Sequence, residues 1–193
     1  MTRRKAYVSM IITAAIFVLA GVSGKTYLDT NPIVLPNLLG QSQPAPAPGY
    51  YRVVKVSDGD TIAVDMNGKH ESVRMIGVDT PETHKPNTPV QCFGPEASDF
   101  THKNLDGKNI RLEADPTNDN RDRYDRLLRY VYLEDGTLYQ RRLIAEGYGF
   151  AYTSFPFQKK DDFIHAQTEA QTQKRGLWTA CKTSESGGRW QTL

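Results

Sequence analysis

The stretch YRVVKVSDGDTIAVDMNGKHESVRMI, residues 51–76, contains three consecutive strand-like segments. They are rich in the β-branched and aromatic residues that favour strands. The segments are 51–56, 61–66 and 70–76. Asn67-Gly68, between the second and third, is a strong hairpin signal because both residues accept positive φ. The stretch therefore predicts a meander of three strands.

The next part of the chain gives one helix signal and then two strand signals. Gly94-Pro95-Glu96-Ala97 is typical of a helix start, since proline lacks an N–H that would go unpaired there and the helix dipole favours glutamate. We expect this helix to end near Asp106-Gly107. Further strands are predicted over 109–114 and 127–133, with Asp135-Gly136 closing a turn.

Two more helices are expected in the C-terminal third. Thr137 and Gln140 fit a capping box before a short helix that stops at Gly147. The last helix is predicted from Gln158 to Arg175. Its apolar seam comprises Phe163, Ala166, Ala170 and Leu177. The element order suits an α+β, mainly β fold, namely a five-stranded Greek-key barrel of OB type with three packed helices.

Residues 1–24 are typical of a signal peptide or an N-terminal membrane anchor. Arg3, Arg4 and Lys5 form a basic flank before an apolar run over 6–22. That run is at the short limit for crossing about 30 Å of hydrocarbon, so cleavage and anchoring both stay open, with a buried core helix as a third alternative. Under the first two, the basic flank stays inside and the rest is secreted or extracytoplasmic, contacting the membrane only if uncleaved.

The remaining chain divides by composition into three parts. Residues 25–49 contain five prolines and predict an extended linker. The folded domain is expected over 50–182, and the polar tail, 183–193, is expected to be flexible.

Charge alone gives no argument for a polyanionic partner. The whole chain has 24 basic and 22 acidic residues, a net charge of +2. Three of those bases and none of the acids lie in residues 1–24, so the remainder carries 21 bases and 22 acids, net −1. Any nucleic-acid binding must therefore depend on local placement of basic residues.

Cys92 and Cys181 are the two cysteines of the sequence. In an exported chain a disulfide is the default interpretation of such a pair. A metal-binding pair is disfavoured because the chain has no Cys-x-x-Cys spacing.

Acidic residues lie at the ends of predicted strands in the meander. Asp58-Gly59-Asp60-Thr61 by itself is typical of a structural turn, and Asp79-Thr80-Pro81-Glu82 of a turn or a helix entry. A closing barrel, however, can bring Asp60 and Asp79 to one rim. Calcium takes carboxylate, carbonyl and water oxygens, so such a rim predicts a calcium site.

Two arginines are candidates for binding a phosphate. Arg74 lies in the otherwise apolar stretch 73–78, where a half-buried guanidinium is costly unless an anion pairs with it. That anion is either a structural carboxylate or a phosphate oxygen held by a two-pronged hydrogen bond. Arg126 lies in the mixed-charge loop 120–129, which by itself is typical of a solvated surface.

Taken together, these motifs strongly resemble the staphylococcal nuclease (thermonuclease) family. The resemblance covers about Tyr50 to Trp178, in order and with compatible spacings. The motifs are Asp58-Gly59-Asp60-Thr61, Arg74 with Val78-Asp79-Thr80-Pro81-Glu82-Thr83, Gly94-Pro95-Glu96-Ala97-Ser98, and Arg123-Tyr124-Asp125-Arg126. The resemblance implies an OB-fold barrel with three helices and a calcium-dependent endonuclease acting on DNA and RNA with little sequence or sugar specificity.

The resemblance also implies roles for individual residues. Asp60, Asp79 and the Thr80 carbonyl would bind calcium. Glu82 would act on the attacking water as general base or orienter. The remaining roles concern the substrate. Arg74 and Arg126 would hold the scissile phosphate, Arg123 and Tyr124 would contact the nucleotide, and Tyr152 would stack on a base. No obligate protein partner is implied.

Two features depart from the family pattern. Asp125 stands where the family usually has glycine, although aspartate tolerates the left-handed region better than most residues. The net charge of −1 without the leader predicts weak or salt-sensitive binding of nucleic acid.

Two other classes of function compete with an enzyme. OB barrels also bind nucleic acid or sugar without cleaving them, so the alternative is a non-catalytic OB-fold nucleic-acid-binding module tethered outside the cytoplasm. The other is an anchored structural or interaction protein. The enzyme is favoured because a domain without catalytic function has no physical need to keep like-charged acids close together. The six polar site residues that occur together are Asp60, Arg74, Asp79, Thr80, Glu82 and Arg126.

Overall fold

The predicted meander forms the first three strands of the structure, a computed structural model that describes residues 49–83 and 89–193. The strands are β1 (Tyr50–Asp58), β2 (Thr61–Met66), β3 (Lys69–Met75), β4 (Val78–Asp79), β5 (Asn109–Glu113), β6 (Leu127–Tyr132), β7 (Phe150–Ala151), β8 (Thr183–Ser186) and β9 (Arg189–Thr192). The helices are α1 (Gly94–Leu105), α2 (Tyr139–Ala145), α3 (Lys160–Thr172) and α4 (Leu177–Ala180).

Five of the strands close into a barrel in the order β1-β2-β3-β6-β5. All neighbours are antiparallel except β3 and β6, which run parallel with Arg74 opposite Leu128. The barrel interior is filled by alternate, fully buried side chains of these strands. They include Val53, Ile62, Val64, Val73, Met75, Ile110 and Val131. The predicted OB-type architecture, mainly β with packed helices, is confirmed.

The helices cover the barrel with the apolar residues that the sequence indicated. Phe163, Ala166, Ala170 and Leu177 of the predicted seam are all fully buried. Phe100 of α1 stacks on Tyr148 with 4.1 Å between ring centroids.

Two helix predictions were wrong in detail. Thr137 and Gln140 do not form a capping box: the Thr137 N–H donates to Asp135, and Gln140 is buried, with its amide bonded to Val131 N–H and Arg129 C=O of β6. The helix predicted over 158–175 corresponds to α3, which begins later and ends earlier than predicted. Among the described residues a single further turn, α4, adds a fourth helix to the three predicted.

The tail after Cys181 is not frayed as the sequence suggested. Residues 183–192 form the hairpin β8–β9, with Glu185 opposite Trp190. The Trp190 ring packs edge-on against Trp178, 5.2 Å between centroids, and parallel to Phe150 at 6.3 Å. These contacts bury apolar surface that a solvated tail would leave exposed.

The N-terminal predictions lie outside the described residues. The leader over 1–24 and nearly all of the linker over 25–49 belong to the part that the structure does not describe. Within 49–83 and 89–193, no helix is both long and apolar enough to cross a bilayer.

Candidate active site

The turn between β1 and β2 places Asp60 at the rim of the barrel, where it meets Thr80. Gly59 makes this contact possible, because a Cβ on Gly59 would come within 2.7 Å of the Thr80 hydroxyl oxygen. Asp60 Oδ2 accepts hydrogen bonds from the Thr80 N–H at 3.1 Å and from its hydroxyl at 3.3 Å. Asp60 is only 3% exposed. The two acidic motifs of the sequence therefore meet in space.

Asp79 is positioned by the short pairing of β4 with β7, in which it lies opposite Phe150. Arg74, on β3, joins the two carboxylates: one guanidinium nitrogen pairs with Asp60 Oδ1 and the other with Asp79 Oδ1, the latter at 2.9 Å. The same Arg74 nitrogen also donates to the Val78 carbonyl at 3.1 Å. The sequence left open whether Arg74 pairs with a structural carboxylate or with a phosphate. In this structure its partners are the carboxylates of Asp60 and Asp79.

Because this cluster is poorly solvated, the pKa values of Arg74 and Asp79 depend strongly on burial and on their charged neighbours. Burial raises the pKa of Asp79, and the charge of Asp60 adds to that effect, while Arg74 and Arg189 oppose it. Burial by itself would lower the pKa of Arg74, but Asp60 and Asp79 outweigh it and the net shift is upward. The cluster thus holds two acidic groups in a poorly solvated place where they need positive charge.

The residues fit a hard divalent cation. Asp60, Asp79 and Thr80 offer carboxylate and carbonyl oxygens, the ligands that calcium prefers, and a positive group already lies between the two carboxylates. Within the described residues there is no group of three or more His, Cys, Asp or Glu side chains arranged to hold a metal. A cation here would therefore depend on two carboxylates, a carbonyl and water.

Arg126 is fixed by Asp122, a residue that the sequence did not single out. Its Nε and Nη2 donate to Asp122 Oδ2 at 2.7 and 2.6 Å, and Asp122 Oδ1 accepts from the N–H groups of Tyr124 and Arg126. Asp125, between them, has φ +63°, the left-handed conformation for which the family usually has glycine. The aspartate thus adopts a conformation that glycine reaches more readily than other residues.

The substrate-side residues face one groove of about 820 Å³. Its lining includes Arg74, Asp79, Glu82, Arg123, Tyr124, Arg126 and Tyr152. Tyr124 is 65% exposed, with the guanidinium carbons of Arg123 and Arg126 at 4.9 and 5.3 Å from its ring centroid. The structure thus brings Glu82, the two phosphate-binding candidates and the three nucleotide-contact candidates to one surface. Asp60 and Thr80 lie buried.

Glu82 is held at the groove by the segment before α1. Its N–H donates to the Gln91 side-chain carbonyl at 2.8 Å, and its carbonyl accepts from the Gln91 N–H at 2.9 Å. One of its carboxylate oxygens accepts from the Thr83 N–H at 3.2 Å.

Asp58 is a second residue that the sequence did not single out, although it lies in the acidic motif. Its carboxylate accepts from Gly59 N–H and the Thr83 hydroxyl and shares a hydrogen bond with Glu82. Burial, aided by the charge of Asp60, raises the pKa of Asp58 to about 6. The doubled acid of Asp58-Gly59-Asp60 was the signal that could have identified it.

The fold and site together define a class of protein: an OB barrel with a buried and a partly buried acid at its rim and an arginine-lined groove beside them. Residues 72–180 match the family model described as "Staphylococcal nuclease homologue". The chain belongs to the staphylococcal nuclease family.

Several proteins similar to this chain carry nuclease names. It is 48% identical over 130 residues to the thermonuclease of Staphylococcus hyicus, covering 67% of this chain and 75% of that protein. It is 46% identical over 129 residues to the thermonuclease of Staphylococcus intermedius, covering 66% and 75%. With Endonuclease YncB of Bacillus subtilis (strain 168) it shares 44% identity over 124 residues, 63% of this chain and 58% of the other.

Proposed function

We propose that this chain is an exported, calcium-dependent endonuclease that hydrolyses phosphodiester bonds of DNA and RNA with little sequence or sugar specificity. The observation that carries the proposal is that Arg74, Arg126 and Glu82 line one groove whose wall includes Asp79. The family and the names of the similar proteins support the reaction class.

The two arginines supply hydrogen bonds to the phosphate that strengthen as the reaction proceeds. Charge accumulates on the phosphoryl oxygens as water attacks phosphorus and the P–O bond opposite it breaks. Guanidinium donors aimed at those oxygens therefore act mainly in the transition state. Asp122 restricts Arg126 to one orientation, so little reorganisation is needed.

Glu82 acts on the attacking water. A carboxylate at the groove wall can accept a proton from water as the new P–O bond forms, or orient that water for attack. The backbone hydrogen bonds with Gln91 fix the segment that carries Glu82. Asp58 shares a hydrogen bond with its carboxylate, which helps to hold that carboxylate in place.

Calcium, held by Asp60, Asp79 and the Thr80 carbonyl, would supply positive charge beside the phosphate and polarise its oxygens. A cation held by Asp60 and Asp79 would compete with Arg74 for these carboxylates, and the Arg74 guanidinium would then be able to bind phosphate. The arginine would thus exchange one kind of anion for the other.

Export is proposed from the N-terminal sequence and from the cysteines. The basic flank and apolar run favour passage out of the cytoplasm, with residues 25–49 as linker to the domain over 50–182. Cys92 and Cys181 are bonded to each other, a bond typical of oxidising compartments. Fractionation of cells expressing the full chain, with mass analysis of its N-terminus, tests both export and cleavage.

Two measurements test the nuclease proposal. Plasmid DNA and an RNA oligonucleotide are incubated with the full chain, with calcium and with excess chelator; cleavage of both that needs calcium is expected. Calorimetric titration then compares calcium binding by the parent with Asp60→Ala/Asp79→Ala. Glu134→Ala/Asp162→Ala removes two exposed acids elsewhere and is the matched control. Undiminished calcium affinity in the first double variant contradicts the metal assignment, and intact nucleic acid with calcium present contradicts the enzyme.

A further inference from the structure

The hairpin β8–β9 places an arginine at the edge of the groove. Arg189 Nε donates to Asp79 Oδ2 at 3.1 Å, on the opposite carboxylate oxygen from Arg74. Its guanidinium carbon lies 5.8 Å from the centroid of the Tyr152 ring. Arg189 therefore borders the same groove as Arg74, Arg126 and Tyr152.

Backbone contacts hold the hairpin against the segment that follows β7. The Gly188 carbonyl accepts from the Thr153 N–H at 3.3 Å and its hydroxyl at 3.2 Å, and the Gly187 carbonyl accepts from the Ser154 hydroxyl at 3.3 Å. Gly188 has φ +79°, and a Cβ there would come within 3.0 Å of the Thr153 hydroxyl oxygen. The turn before Arg189 therefore packs closely against Thr153, the residue that follows Tyr152.

Side-chain packing and a covalent bond fix the two strands as well. Trp190, the neighbour of Arg189, packs on Phe150 and Trp178. The disulfide of Cys181 ties the start of the hairpin to Cys92 before α1. Hydrogen bonds, aromatic packing and the disulfide therefore all fix the hairpin that carries Arg189.

The geometry leaves most of the Arg189 guanidinium available. The side chain is 57% exposed, and among the described residues its Nη1 and Nη2 have no hydrogen-bond partner. The pair with Asp79 helps to neutralise a largely buried carboxylate, but it occupies only the Nε of Arg189 and does not use either Nη group. A guanidinium whose two NH2 groups are unpaired and which lies beside an aromatic ring is well placed to bind the phosphate next to a stacked base.

We propose that Arg189 is a further substrate-binding residue, whose guanidinium binds the backbone phosphate next to the nucleotide stacked on Tyr152. The inference rests on the proposed function, since it needs a nucleic-acid substrate in the groove. It makes the C-terminal hairpin a wall of the binding site. Together with Arg74 and Arg126 it would supply the local positive charge that the net charge of the domain lacks.

Steady-state cleavage of a fluorogenic 12-nucleotide single-stranded DNA tests this in the full chain with calcium. Arg189→Ala is expected to raise KM about tenfold with kcat within about twofold of the parent. The slope of log(1/KM) against log[NaCl] should fall in magnitude by roughly 0.7, the value for one lost phosphate contact on a single strand. Arg189→Lys keeps the charge and should retain the slope while raising KM less.

The control is Arg141→Ala, which removes an arginine that pairs with Asp162 on the helices, 2.9 Å apart. It should leave KM and slope unchanged. Calcium titration of Arg189→Ala provides the opposing outcome: tighter calcium binding with unchanged KM and slope means that Arg189 only neutralises Asp79, and overturns the inference. If the parent does not cleave the oligonucleotide, the proposed function fails and the inference with it; parental KM and slope in Arg189→Ala overturn the inference alone.

Discussion

At the scale of single residues, the site is governed by which anion each arginine binds. Arg74 bridges two carboxylates and Arg126 forms an ion pair with one, so both guanidiniums are oriented before any phosphate binds. This preorganisation has different consequences for the two residues. Under the proposed function, Arg126 would keep Asp122 as its support during binding, whereas Arg74 would exchange its carboxylate partners for a phosphate.

The first prediction concerns Arg126 and Glu82. Arg126→Lys loses the planar fork but keeps the charge, and Glu82→Gln loses the proton acceptor but keeps the shape. Each should lower turnover at saturating DNA by roughly 10²–10³, since donors and bases of this kind act in the transition state. Single-turnover cleavage at saturating DNA measures it. Near-parental turnover in both variants would remove them from the catalytic assignment.

Tyr152 should behave in the opposite way. Its ring lies at the groove, 4.7 Å from the Phe155 ring and beneath Arg189. Tyr152→Ala should weaken binding by about 1–3 kcal/mol, the usual value of one base stack, with little effect on turnover. Comparing KM and kcat for Tyr152→Ala and Tyr152→Phe separates stacking from any role of the hydroxyl. A drop confined to kcat contradicts the stacking role.

Asp125 allows a test of backbone conformation. Its φ of +63° is strained for most residues, and its side chain is exposed apart from an ion pair with Arg121 at 3.5 Å. Asp125→Gly should change the free energy of unfolding by less than about 1 kcal/mol, because relief of strain offsets the greater freedom of the unfolded chain. Asp125→Val, β-branched, should destabilise by about 1–3 kcal/mol. Urea unfolding of the two variants measures the difference; equal stabilities would contradict it.

At the scale of elements, the sequence predicted those whose signals are local. The hairpin at Asn67-Gly68, the barrel strands and the buried seam of α3 follow from turn chemistry and periodicity, which act within a few residues. The capping box failed because Gln140 is drawn to β6, a tertiary contact that no local pattern encodes. The hairpin β8–β9 was missed although Gly187-Gly188 is a turn signal, because its strands are polar and depend on Trp190 packing against distant aromatic rings.

One buried carboxylate ties three elements together. Asp115, after β5, accepts hydrogen bonds from Thr117, from the Tyr130 hydroxyl of β6 at 2.5 Å and from the Gln158 N–H before α3 at 2.7 Å. Burial by itself would raise the pKa of Asp115, but these hydrogen bonds outweigh it and lower the pKa to about 2. The charged form is therefore the one that the fold favours.

This gives a prediction with a definite sign. A depressed carboxyl pKa stabilises the fold fully above the unfolded value of about 4, and that contribution is lost as pH falls toward 2. It amounts to about 2 kcal/mol. In Asp115→Asn the fall in unfolding free energy between pH 5 and 2 should be smaller than in the parent by this amount. Urea titrations at several pH values measure it, with Asp162→Asn, an exposed acid, as control. An unchanged pH dependence would contradict the role of Asp115.

At the scale of the whole molecule, the sequence located the candidate site better than it explained it. Asp60 and Asp79 could be placed at one rim because a closing meander brings the ends of its strands together, whereas Arg74 was recognised only as an arginine in an apolar stretch that needs an anion. The partners Asp58 and Arg189 could not be placed there, since they act through contacts between residues distant in sequence. Asp122 lies only four residues from Arg126, but the sequence did not distinguish it from the other acids of that mixed-charge loop. The disulfide was predictable from the count of cysteines and from the export that residues 1–24 predict, without knowledge of the fold.

The disulfide carries the last prediction, because it closes a loop that includes most of the domain. Cys92 and Cys181 are 89 residues apart in sequence, so the bond removes much conformational freedom from the unfolded chain. On the chain-entropy model this stabilises the fold by up to about 4–5 kcal/mol. Cys92→Ser/Cys181→Ser should lower the urea midpoint accordingly, and reductant should lower the parent's midpoint but not that of the double variant. Non-reducing intact-mass analysis checks that the parent is oxidised. Since Cys181 also anchors the hairpin that carries Arg189, the double variant should show a raised KM for single-stranded DNA; coincident midpoints of the two proteins without reductant would contradict the stabilising role.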